Sequence, residues 1–248
     1  MIPLRVAAGL TWHSGPSVAA PELFEEASKG RNTTYLRMKR HILDALEVQA
    51  PALVGQSAET FWRAGSSVLD VGAGTGEIGL YLQSKYELVC SGVDVVKPEA
   101  NKYAMGRKGD RREFLPIEIF DGASLPVPSG SKDVVLFNAV LHHAANNTLG
   151  LVKEAARVAR RFIVVLEDLH VPGHHGIDRR NFDHDPNGIF RTLWEWLRLF
   201  RNTPGVKDVR HDMLCQHLDD TKFPCKSNTG VSNRIFYVVF VIEVQNHL

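Results

Sequence analysis

Hydrophobic and polar positions alternate along this chain in two different rhythms, and the change between them divides it. From residue 67 onward, short apolar runs rich in Val, Ile and Leu recur between stretches with apolar residues at helical spacing. That alternation predicts strands separated by crossover helices, hence a parallel sheet covered on both faces. The expected strands are 67–71, 87–93, 113–120, 133–137 and 161–166, with closing strands near 206–213 and 234–244. The expected helices are 77–85, 98–109, 147–158 and 190–201, the last carrying Trp194, Trp196 and Phe200.

The N-terminal part reads differently. Residues 1–21 hold Pro3, Gly9, Gly15, Pro16 and Pro21 without sustained periodicity, and predict an irregular arm. Glu22, Glu25 and Glu26 suit a first helical turn, and Leu36, Ile42, Leu43, Leu46 and Val48 mark an amphipathic helix over 33–48. A further short helix is expected over 57–64, capped by Ser57. The division that follows is an arm and helical cap over 1–60 and an α/β core over 61–248.

Composition narrows the class. The 248 residues are 44% hydrophobic and 23% charged, with a formal net charge of +1, so no global field points to nucleic acid or an anionic membrane. The basic run containing Arg31, Arg37, Lys39 and Arg40 reads as the solvated face of a helix. Three cysteines make no disulfide framework, which favours a reduced, cytoplasmic protein. The longest apolar run, 235–242, suits a strand and not a membrane span.

The chemistry concentrates where strands end. Strand one closes on Asp70 and opens at once into Gly72, Ala73, Gly74, Thr75 and Gly76, a strand, tight turn and helix. Glycines there let the backbone turn sharply and a ligand approach, while the free amides of the new helix face that ligand. Strand two ends in Asp94 and Val95, and strand three in Asp121, Gly122 and Ala123. Strand four ends in Asn138 and runs on through Ala139, Val140, Leu141, His142 and His143, and strand five ends in Glu167 and Asp168. In open α/β sheets the ligand sits beyond these carboxyl ends. Taken singly, Asp94 could be a helix cap and Asp121 a turn residue; three carboxylates on three adjacent strand ends point to a shared ligand. Residues 74–79 also satisfy Gly-x-Gly-x-x-Gly, the dinucleotide fingerprint.

These motifs, in this order, resemble the class I S-adenosylmethionine-dependent methyltransferases, in particular a type 11-like group with a Leu-His-His segment after strand four. The resemblance covers residues 66–170 well and the remainder by general pattern. It implies a Rossmann-like, doubly wound sheet of seven strands in the order 3-2-1-4-5-7-6, the last strand antiparallel. It further implies S-adenosylmethionine as cofactor, held by Asp70, Gly72, Ala73, Gly74, Gly76, Asp94, Val95, Asp121, Gly122, Ala123 and Asn138. Asp94 would take the ribose hydroxyls and Asp121 the adenine amino group. The N-terminal helices would either shield a sheet edge or form a lid, with Arg31 and Tyr35 the residues to test.

Methyl transfer from a sulfonium needs alignment and exclusion of water, plus a base only where the acceptor must lose a proton. His142, Glu167 and Asp168 are the catalytic candidates. The chain lacks an Asn-Pro-Pro-Tyr segment and its charge is balanced, so a small-molecule acceptor is expected, without membrane or nucleic-acid partners. The loop with His170, His174, His175, Asp178, Asp183, His184 and Asp185 shows no recognised ligand spacing, and no metal is expected. The competing readings are a nicotinamide-dependent oxidoreductase, a macromolecule methyltransferase and a non-catalytic binding module of the same fold.

Overall fold

A computed structural model describes residues 42–96, 115–172, 181, 185–217 and 234–245. Expectations for the arm, the lid residues Arg31 and Tyr35, the 98–109 helix and most of the histidine-rich loop lie outside these residues.

One mixed sheet of seven strands organises the chain. It comprises β1 (Ser67–Val71), β2 (Val89–Asp94), β3 (Ile117–Ile119), β4 (Lys132–Asn138), β5 (Ala159–Asp168), β6 (Val206–His217) and β7 (Arg234–Val244). Their order is β3-β2-β1-β4-β5-β7-β6. The first five strands run parallel, while β7 pairs antiparallel with both β5 and β6. That is the order and the antiparallel insertion the sequence resemblance implies.

The strands alternate faces, as a pleat requires. Leu69, Val135, Ile163 and Val165 face a core that also holds α4 (Thr148–Val158) and α5 (Leu193–Arg201), through residues such as Val152, Ala155, Trp196 and Phe200. Val68, Val134, Leu136 and Val164 face the opposite core. There they meet Leu82 of α3 (Glu77–Tyr86), and Ala45, Leu46, Ala50, Phe61 and Trp62. The last group comes from a π-helical turn (Ala45–Gln49), α1 (Ala50–Leu53) and α2 (Ala58–Phe61). The indole N–H of Trp62 donates to the Leu46 carbonyl at 2.8 Å, which ties this layer together. Residues 45–62 thus cover this face of the sheet through the buried side chains of Ala45, Leu46, Ala50, Phe61 and Trp62. Ser57 caps α2, its hydroxyl accepting from the Thr60 amide.

Several boundaries differ from the expected ones, each for a local reason. Strand two begins at Val89 and not at 87, because Glu87 takes φ 55° and terminates α3 in the left-handed region. Strand three, expected over 113–120, has three described residues, which meet only Gly92 to Asp94 of β2. Strand five extends to Asp168 because β7 supplies partners along Phe162 to Asp168. The helix expected from 190 begins at Leu193, where Thr192 and Glu195 form a reciprocal capping box. Strand six runs past 213 to His217, paired with β7 without a break from Asp208 onward.

Candidate active site

The carboxyl ends of β1 to β5 make one continuous edge, held together by contacts between neighbouring turns. Gly72 and Ala73 donate backbone N–H bonds to the Val93 carbonyl at 2.8 and 3.1 Å, linking the β1 turn to the end of β2. Gly72 has φ 71°, and a Cβ there would lie 2.5 Å from Val140 Cγ2. Only glycine therefore lets the β1 turn and the segment after β4 approach so closely. Gly76, with φ 72°, starts α3 and leaves no room for a Cβ against Leu115. A Cβ on Gly122 would touch Val95 at 3.2 Å, so the turn after β3 rests on the turn after β2. The Asn147 side-chain amide donates to the Gly122 carbonyl at 2.9 Å, bracing that turn from the start of α4.

Asp70 is buried at 3% exposure. Desolvation, with the charge of Asp94 adding to it, raises its carboxyl to about 7. The two carboxylates therefore feel one another across the turn. Asp94 is also buried and grips the turn itself: one oxygen accepts the Gly74 amide at 2.7 Å, the other the Val96 amide at 2.9 Å. Asp121 is exposed and folds its own turn, one oxygen accepting the Ala123 and Ser124 amides at 2.8 Å each. Those bonds hold its carboxyl below the ordinary range. Asn138 closes β4 half-buried, in register with Leu166.

Beyond β4 the chain turns through Ala139, a non-glycine residue at φ 54°, where the left-handed region costs about 1–2 kcal/mol. Glu167, 1% exposed at the end of β5, stabilises that turn. One of its oxygens accepts the Val140 and Leu141 amides at 2.9 and 2.6 Å, and the other lies 2.6 Å from His142 Nδ1. A carboxylate only accepts, so Nδ1 carries a proton, while Nε2 lies 3.8 Å from Asp185 Oδ2. Burial opposes a charge on this ring, but the Glu167 carboxylate outweighs it and lifts the imidazole above its ordinary value. His142 is 4% exposed and stacks on Phe190 at 4.9 Å. Asp168, the third catalytic candidate, closes β5 opposite Tyr237 of β7.

The structure thus brings Asp94, the glycine turn, Val95 and Gly122 into contact at one edge, with Asp70 near enough to Asp94 for their charges to interact. It gives Glu167 a role in holding the 140–142 turn that its sequence position alone does not reveal. Asn147 and Asp185 also bear on this edge, with no sequence signal that places them there. An asparagine before α4 signals only a cap, and Asp185 reaches the histidines through the fold. As a cofactor cradle the edge fits an adenosyl ligand. Cβ atoms at Gly72 and Gly76 would collide with Val140 and Leu115, and the buried carboxylate of Asp94 is fixed beside the turn by the Gly74 amide.

Comparison with known proteins points to the same fold. Residues 69–162 match the family model described as Methyltransferase domain. The ajmaline N-methyltransferase of Rauvolfia serpentina is 29% identical over 108 residues, 42% of this chain and 36% of that protein. The 27-O-demethylrifamycin SV methyltransferase of Amycolatopsis mediterranei (strain S699) is 32% identical over 101 residues, 40% of this chain and 36% of that protein. The matched region thus spans little more than a third of each curated relative. Among solved structures, the magnesium protoporphyrin IX methyltransferase of Synechocystis PCC 6803 with bound SAH superposes with a TM-score of 0.55 at 14% identity. That match covers 90% of this chain and 94% of the other, a likeness of fold. Together with the strand order and the glycine turn, the match identifies a methyltransferase domain over residues 69–162 of this chain.

Proposed function

We propose that this protein transfers the methyl group of S-adenosylmethionine to an oxygen, nitrogen or carbon atom of a small molecule. The observation that carries the proposal is the unbroken series of contacts along the carboxyl edge. It runs from Gly122 against Val95, through Val93 and Gly72, to Val140 and the Glu167-held turn. In this reading Asp94 and the 72–76 turn hold the ribose and methionine parts of the cofactor. Asp121 to Ala123, with Asn138, flank the adenine. When bound, the cofactor supplies an activated methyl on a sulfonium, so the chain's residues need chiefly to align and to exclude water.

The acceptor side is assigned to the segment after β4. Glu167 is a positioning residue: both its oxygens are occupied, and it fixes the backbone of 140–141 and the ring of His142. In this reading Nε2 of His142, which lies 3.8 Å from Asp185 Oδ2, belongs to the acceptor side. Asp168 lies one residue further along the same strand end. The small-molecule acceptor is supported by the balanced charge of the chain and by the names of the two curated relatives. Among the described residues, no helix is long and apolar enough to cross a membrane.

The test is an acceptor screen with methyl-labelled S-adenosylmethionine against small phenols, alcohols, amines and carboxylic acids, with total RNA and a protein mixture as comparison. The proposal expects S-adenosylhomocysteine release that depends on one of the small molecules. Label passing only to RNA or protein would overturn it.

A further inference from the structure

The sequence gives no linear metal signature, yet the fold places two imidazoles and a carboxylate around one point. His142 and His143 are consecutive in the turn after β4, and their rings lie 4.1 Å apart. Asp185 lies 42 or more positions further along the chain, its amide donating to the Asn181 carbonyl at 2.8 Å. One oxygen of Asp185, Oδ2, lies 2.9 Å from His143 Nδ1 and 3.8 Å from His142 Nε2. The candidate donor atoms of the three residues all fall within 4.8 Å of one another.

Three further features separate this cluster from a chance surface pairing. Asp185 Oδ2 is buried and has no aligned hydrogen-bond partner among the described residues, despite its closeness to both rings. A buried carboxylate oxygen in that condition calls for a cation. His142, its side chain 6% exposed, is oriented from behind by Glu167 at 2.6 Å. That is the carboxylate–imidazole arrangement which fixes the tautomer and raises the basicity of a metal-binding histidine. Lastly, Gly188 is shaped to the carboxylate, since a Cβ there would fall 2.3 Å from Asp185 Oδ2.

We propose that His142 Nε2, His143 Nδ1 and Asp185 Oδ2 bind a divalent first-row transition ion, whose open positions take an oxygen of the methyl acceptor. Two imidazoles with one carboxylate suit ions such as zinc, iron(II), cobalt(II) or manganese(II) better than magnesium or calcium, which favour oxygen throughout. Three protein ligands leave coordination positions free, as in catalytic centres. The second half of the proposal rests on the methyltransferase reading above. A hydroxyl acceptor held there loses its proton to water more readily. Its oxygen lone pair then forms the O–CH3 bond while the C–S bond breaks and leaves its electron pair on sulfur.

The experiment uses the full chain, stripped with chelator, and titrates it with cobalt(II) chloride by visible absorption and with zinc chloride by calorimetry. His170, His174, His175 and His184 add background sites, so the reading is the difference between wild type and variants. Outer-shell changes alone weaken metal binding by about 10–100-fold. Loss of a direct ligand in Asp185→Asn or His143→Ala should therefore remove one equivalent or weaken it at least about 100-fold. Gly188→Ala, which deletes no ligand but drives a Cβ into the carboxylate, should weaken the same equivalent. His143 is largely exposed, so His143→Ala carries the test should a buried variant fail to fold. Wild type and variants binding equal metal with equal affinity, or no tight equivalent in wild type, would overturn the site. S-adenosylhomocysteine binding by the stripped protein is measured alongside. Its presence without metal binding overturns this inference alone, and its absence overturns the reading beneath it.

Discussion

Asp70 offers a quantitative test, because the fold forces a carboxyl into an apolar strand beside a second one. Burial, with Asp94 adding to it, lifts its pKa from 3.8 to about 7. The native state therefore keeps a proton that the unfolded chain has lost. Above pH 4, stability falls as the pH rises, and the loss levels off once the native carboxyl also ionises near pH 7. At about 1.4 kcal/mol per tenfold in proton affinity, the whole effect is about 4 kcal/mol. Of this, about 3 kcal/mol falls between pH 5 and pH 8. Asp70→Asn keeps the shape and removes the titration. Urea unfolding of both proteins at pH 5, 6, 7 and 8 should show the variant gaining on wild type by about 3 kcal/mol across that range. Histidine titrations are common to both proteins and cancel in the difference. A difference that stays flat with pH would refute the claim that Asp70 is held protonated by burial.

Three other outcomes follow from particular contacts. Gly72→Ala should destabilise by roughly 2–4 kcal/mol, from the positive φ and the collision with Val140, read as a lowered thermal midpoint. Glu167→Ala strips three bonds from a buried carboxylate and should cost about 3–5 kcal/mol in urea unfolding; a loss below 1 kcal/mol would contradict its role in holding the turn. Thr192→Ala removes the cap of α5, at about 1 kcal/mol by the same measurement.

Much of the fold was legible because the apolar runs are short, β-branched and regularly spaced, and strands buried on both faces read clearly. Val134 to Phe137 and Ile163 to Leu166 are of this kind. The ends of elements were less legible where a single residue decides them. Glu87 breaks the pattern through a backbone conformation that its side chain does not announce. The box at Thr192 moves a helix start that hydrophobic spacing alone sets earlier.

At the site, the glycine turn and the strand-end acids could be read because they fall at fixed places in a strand–turn–helix pattern. The work of Glu167 could not be read, since it depends on amides 26 and 27 positions earlier in the chain. Asp185 is harder still. It is one of several acids in a polar loop, and its partners His142 and His143 are set by the packing of β4.

The central claim is that the β1 turn and Asp94 bind an adenosyl ligand. Calorimetric titration of the full chain with S-adenosylhomocysteine and, separately, NAD tests it most directly, in wild type and in Asp94→Ala. One S-adenosylhomocysteine should bind per chain and no NAD, with affinity weakened more than about tenfold in the variant, or at least about 1.4 kcal/mol. Binding of NAD in place of S-adenosylhomocysteine, or equal affinity in the two proteins, would contradict it.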